Sequence, residues 1–137
     1  MGQQQLLLII LGVIVVGIAV AVGITMFADN ATSANRDAVV NDLVNFAARA
    51  QQFYRRPTAL GGGQGSFLNI QLTHLSNKVS GSNIINANGT YTIGTPTASS
   101  VTVTGQGTEI GNDGSGVVEV DIIVRSGGLA DSVVVKN

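Results

Sequence analysis

The run Leu6–Phe27, LLLIILGVIVVGIAVAVGITMF, constrains this chain more than anything that follows it. It holds no charge, no proline and no strongly polar side chain except Thr25. As an α-helix its about 22 residues would extend roughly 33 Å at ~1.5 Å per residue. That matches a hydrocarbon core of roughly 30 Å. Leu, Ile, Val and Phe each favour insertion by roughly 0.3–0.6 kcal/mol, and no Asp, Lys or Arg opposes them. The stretch is expected to form a helix that occupies a membrane for at least part of the protein's life. Met1-Gly2-Gln3-Gln4-Gln5 lacks the Lys or Arg that opens a secretory signal, and Met26-Phe27-Ala28-Asp29 is a poor cleavage site, so the segment is expected to be retained.

The periodicity changes along the same predicted helix. No proline or glycine lies between Ile24 and Arg56, so one helix is expected from Gln3 to about Arg56, with Pro57 stopping it. Asp29-Asn30-Ala31-Thr32-Ser33 either caps a second helix or lies within a continuous one, and continuity is the favoured reading. The first half is apolar all round. Gly12, Gly17, Ala19, Ala21 and Gly23 punctuate it, and the pairs Gly17/Ala21 and Ala19/Gly23 each share a face. Such residues let apolar helices approach closely. In the second half Val39, Leu43, Phe46, Ala50 and Phe53 recur at helical spacing, with Val40, Val44, Ala47 and Tyr54 beside them. Arg36, Asn41, Asp42, Asn45, Arg49 and Gln52 fall mostly on the other side.

After Pro57 the chain reads differently. Gly61–Gly65 is a loop, Phe67, Leu68, Ile70, Leu72, Leu75 and Val79 are candidates for core contacts, and Leu72–Asn77 is a candidate turn of helix. From Asn88 the period is two: Thr90–Gly94, Ser100–Thr104, Val117–Arg125 and Asp131–Lys136 read as strands. Thr95-Pro96, Asn112-Asp113-Gly114 and Gly127-Gly128 separate them with turn chemistry. The expected fold is α+β. A long N-terminal α-helix, apolar stem then amphipathic half, packs against a small C-terminal antiparallel β-sheet head. The expected divisions are a stem over 1–28, its amphipathic continuation over 29–56 and a β-rich head over 57–137. A head without disulfides buries too little surface to be very stable alone, and the stripe from Val39 to Tyr54 needs a cover, so each is expected to complete the other.

The residues suggest no catalytic, cofactor or metal site. Gly61–Gly65 is not followed by Lys-Ser/Thr and does not join a strand to a helix, so it is no phosphate loop. Asn112-Asp113-Gly114-Ser115-Gly116 has one carboxylate where a calcium loop wants several oxygens, and reads as a hairpin turn. His74 is the sole histidine, cysteine is absent, and no G-x-S-x-G elbow occurs. Glu119 and Asp121 sit on the polar face of an expected strand. Asn30-Ala31-Thr32 and Asn88-Gly89-Thr90 match the N-glycosylation pattern. With a net charge of −1 and no basic patch, no nucleic acid partner is expected.

The N-terminal stretch MGQQQLLLIILGVIVVGIAVAVG, the amphipathic continuation and the β head together resemble a type IV pilin or a related pilin-like filament subunit. The resemblance implies a structural protein rather than an enzyme, without a cofactor. Its apolar helix waits in the inner or cytoplasmic membrane, then packs with copies of itself in the core of an extracellular filament on the cell surface. It also implies a prepilin peptidase and pilus assembly machinery as partners. In that family a leader is trimmed after a glycine; the matching residue is Gly2, which would make Gln3 the mature N-terminus. In the alternative frame Met1 is the mature end, and Gln5 stands where the family has a glutamate that pairs with a neighbour's amine. Here no acid precedes Asp29, no proline interrupts the stem and no C-terminal disulfide is possible. The surface loops Gly61–Gly65, Gly111–Gly116 and Ser126–Ala130 would tune adhesion or contacts between heads. Two alternatives stand beside this reading: a minor pseudopilin of a secretion machine, and a single-pass anchored binding protein that does not polymerise.

Overall fold

A computed structural model describes residues 2–136; within its last strand the side chains of residues 129–132 lie outside that description, as does Met1, the mature end in one of the two frames. The first element is α1 (Gly2–Arg55), one uninterrupted helix. The residues at Asp29–Ser33 lie inside it and cap nothing. Pro57 follows its end, as expected. The carbonyls it leaves without helical partners are met by the glycine segment: Gly63 N–H donates to Phe53 O at 2.8 Å, Gly65 N–H to Tyr54 O at 2.7 Å and Gln64 N–H to Arg56 O at 3.0 Å. Gly62 and Gly63 leave no room for a Cβ, which would run into Arg56 and Ser66. The Gly61–Gly65 loop is thus tied to the helix end by backbone bonds.

A 3₁₀ turn (Thr58–Leu60) and α2 (Leu72–Leu75) precede the sheet. The helical turn stops short of Asn77. Six antiparallel strands follow: β1 (Val79–Ser80), β2 (Asn83–Ile85), β3 (Gly89–Ile93), β4 (Ser100–Ile110), β5 (Val117–Arg125) and β6 (Gly128–Val135). They are neighbours in sequence order, so every connection is a hairpin. β1 and β2 were not expected, because strands of two and three residues show no alternation. β4 runs six residues past the expected Thr104. Gly105 and Gly107 disguise it, yet both pair in register, Gly105 with Tyr91 and Val120, Gly107 with Gly89. β6 starts at Gly128 instead of Asp131, leaving Ser126 and Gly127 as the turn.

The chain divides into two compact units, Met1–Ala31 and Thr32–Asn137. In the second, the core joins one face of α1 to one face of the sheet. Val39, Leu43, Phe46, Ala47, Ala50 and Phe53 are buried against Tyr91, Val101, Val103, Val118, Val120, Ile122 and Val124, with Phe67, Ile70, Leu75 and Ile84 closing the far end. Tyr54 is half-buried against Phe67, ring centroids 4.7 Å apart. Val44 and Leu68 are corrections to the expected core: both are exposed. Val44 lies at the border of the buried stripe, where the sheet does not reach it.

Gly105 sets how closely helix and sheet approach. A Cβ there would sit 2.7 Å from Val39 Cγ1 and 3.0 Å from the Tyr91 ring. Gly105→Ala should destabilise the protein by about 1–3 kcal/mol, since neither neighbour has a free direction to yield into. Gly127→Ala, at a position open on all sides, should stay within about 0.5 kcal/mol of wild type. Chemical denaturation of the detergent-solubilised chain measures both.

Candidate functional site

Two surfaces are candidates for function: the apolar half of α1, and the polar groups that clamp its second half to the sheet. Leu6, Leu7, Leu8, Ile9, Ile10, Leu11 and the large apolar residues after them through Phe27 are all exposed. The segment meets the length and composition needed to cross a membrane, and lies near the N-terminus. Its backbone is satisfied within the helix, and its one hydroxyl, Thr25 Oγ1, donates back to Val22 O at 2.8 Å. Only side-chain surface is left uncovered. Gly12, Gly17 and Gly23 have open space where a Cβ would be, so another helix meets bare backbone there. Ala19 and Ala21 are exposed on the same turns, and Gly2, Gln3 and Gln5 are exposed at the start.

The sequence places Asp42 and Arg49 mostly on the side away from the apolar stripe; in the structure both reach neighbouring elements. Asp42 turns toward the β2–β3 hairpin. Its Oδ2 accepts from Tyr91 Oη at 2.6 Å and from the amides of Asn86 and Asn88 at 2.8 Å each. Burial pushes its carboxyl upward, but the three donated bonds outweigh that and hold it below the usual carboxylate range. Burial, then the bond to Asp42, raises the Tyr91 phenol well above its ordinary value. Arg49 Nη1 donates to Leu75 O at 2.9 Å, at the end of α2. Gln51, buried, donates to the carbonyls of Arg125 and Gly128 at the β5–β6 turn. Thr32 Oγ1 donates to Ile110 O at 2.9 Å, while Asn35 donates to Asn88 O and accepts from Thr108 N–H. Each of these side chains, spread along the helix, holds a loop or strand end by its backbone or side chain.

The other candidate residues settle into structural places. His74 Nδ1 accepts from Gln71 N–H at 3.0 Å, closing the cap of α2, and its ring lies 4.5 Å from Phe53. Asp113 accepts from Ser115 N–H and Ser115 Oγ within the β4–β5 hairpin loop. Glu119 and Asp121 both pair with Lys136, at 2.5 and 2.8 Å; the hydrogen bond from Lys136 lowers the Glu119 carboxyl. Among the described residues, no three His, Cys, Asp or Glu side chains cluster as metal ligands would. In the Asn88 sequon the amide is engaged with Asp42, and in the Asn30 sequon the Thr32 hydroxyl is buried on Ile110. A groove of about 550 Å³ lies beside Asp42, bounded by Asn45, Arg49, Gln52, Ser76 and Lys78.

No protein-family model matches the chain, and neither a curated protein nor a solved structure is significantly similar to it. The functional reading therefore rests on the residues themselves.

The Asp42 cluster gives the head a pH signature. A carboxyl depressed on folding contributes stability that is present above its unfolded value of about 3.9 and is lost as pH falls through the folded value. A phenol raised on folding contributes stability that is present below about pH 10 and is lost as pH rises beyond it. Asp42→Asn should flatten the acid arm of the stability profile, and Tyr91→Phe the alkaline arm. Thermal melts of each variant across pH check this.

Proposed function

We propose that the protein is a pilin-like structural subunit of an extracellular helical filament, polymerising through its apolar N-terminal helix. The observation that carries the reading is α1: one helix, unbroken from Gly2 to Arg55, whose apolar half is exposed among the described residues and whose second half is the spine of the β head. In lipid the apolar half is stable as it stands. In a filament the stems of neighbouring copies take the place of lipid, so the same surface stays dry before and after assembly. Gly12, Gly17, Ala19, Ala21 and Gly23 set the distance between stems, because van der Waals contact rather than a hydrophobic force drives association between apolar helices. In the frame that makes Met1 the mature end, Gln5 offers an uncharged carbonyl to a neighbour's amine in the core. In the other frame a prepilin peptidase trims the chain between Gly2 and Gln3, and a pilus assembly machinery belongs to both.

A minor pseudopilin of a secretion machine would use the same stem and head in shorter polymers. A single-pass anchored binding protein would leave the small residues of the stem without a role, and an anchor is commonly separated from its domain by a flexible linker. Here the helix runs on without a proline or glycine between Ile24 and Arg56.

Gly17→Leu or Ala21→Leu should reduce filament yield strongly while membrane insertion persists, because leucine favours the bilayer by roughly 0.5 kcal/mol yet blocks close approach. Shearing cells, imaging the released fraction and identifying the subunit by mass spectrometry tests the reading. A protein confined to membranes and never found in sheared fibres refutes it.

A further inference from the structure

We propose that successive copies in the filament are matched end to end by charge: the basic end of one head, carrying Arg49, Arg55, Arg56 and Lys78, meets the acidic end of a second copy, carrying Asp37 and Glu109. This rests on the filament reading and names a contact that the apolar stem does not supply.

The charges of the head are segregated along α1. Asp37 is exposed near the start of the helical stretch that belongs to the head, and Glu109 is brought beside it, since its N–H donates to Asn35 Oδ1 while Thr32 holds Ile110. Asp113 follows in the adjoining hairpin loop, and Arg36 precedes Asp37 on the helix. Arg55 and Arg56, both exposed, lie at the opposite end; Arg49 borders one groove with Arg56 and a second with Lys78. Gln51 draws the Arg125 carbonyl to that end as well. The other charges are occupied locally: Asp42, between the ends, by three donors, and Glu119 and Asp121, on the strand beside β4, by Lys136.

From Asp37 to Arg55 the helix rises about 27 Å at ~1.5 Å per residue. This exceeds three Debye lengths of about 8 Å at physiological ionic strength, so the two ends scarcely attract within one copy. Between copies they can. Opposite signs at opposite ends of one chain are complementary in a head-to-tail contact and repulsive in a head-to-head one. A head-to-tail contact that does not close generates an open helical filament, so the charge pattern selects the geometry that the stem needs.

The test uses the full chain in cells that assemble it. Arg55→Glu with Arg56→Glu, and separately Asp37→Lys with Glu109→Lys, should each lower the yield of sheared filament about tenfold or more by setting like charges against each other. The quadruple variant, with both ends reversed, should recover it. Unchanged melting temperatures in detergent establish that these exposed substitutions leave the fold intact. Wild-type filaments should also fall apart more readily in about 1 M salt, where the Debye length shrinks to roughly 3 Å. Double variants that assemble at wild-type yield while Gly17→Leu fails to assemble overturn the charge matching and leave the filament reading standing. So does a folded quadruple variant that does not recover, or a filament indifferent to salt. Wild-type cells without filaments overturn both.

Discussion

The close seating of α1 on the sheet is the contact on which the head depends. It is an apolar contact between a helix stripe, Val39 to Phe53, and the inward faces of β3, β4 and β5. Without cysteine the head has no covalent brace, and a sheet of this size has no second layer but the helix. Its stability is set by how near the two surfaces come. Gly105, beneath Val39 and beside Tyr91, permits that approach in the middle of the longest strand. The T-shaped Phe46–Tyr91 contact at 5.0 Å fills the space next to it.

The flanks of the helix do a different task. Thr32, Asn35, Asp42, Arg49 and Gln51 reach the loops and the strand and helix ends around α1 and bond them directly. Five of these bonds go to main-chain carbonyls that would otherwise lose water as the sheet closes over the helix. The helix therefore acts as a spine in a chemical sense: its apolar stripe supplies the core, and its polar margins terminate the surrounding hairpins. The apolar half of the same helix has no such margin. Its backbone needs nothing, and its side chains need only a non-aqueous neighbour, which lipid and a second copy supply equally well.

The parts of this architecture governed by period were legible in the sequence. Helical spacing from Val39 to Phe53 and alternation in β3 and β5 identified both faces of the core, and Pro57 marked the helix end to within two residues. What escaped notice depended on particular partners. β1 and β2 are too short to alternate. Gly105 and Gly107 look like turn residues until Val39 and Asn35 are seen to lie over them. Asp42 looks like a solvated helix charge, and only the fold brings Asn86, Asn88 and Tyr91 to it from about 45 residues away. A clue lay in its position at the border of the buried stripe, next to Leu43, with two asparagines and a tyrosine at positions 86, 88 and 91 later in the chain. The apolar half of α1 was the most legible part of all, since composition alone decides what a surface without polar atoms can touch.

The strand order has a consequence for how such a head comes into being. Because β1 to β6 are laid down in sequence order with a hairpin at every step, no strand waits for a distant partner. Sheets built from neighbouring segments lose little chain entropy at each closure and form quickly. Such a sheet extends outward one hairpin at a time. Each new strand covers the open edge of the last, so the interval in which a bare valine-rich edge could pair with the wrong molecule is kept short.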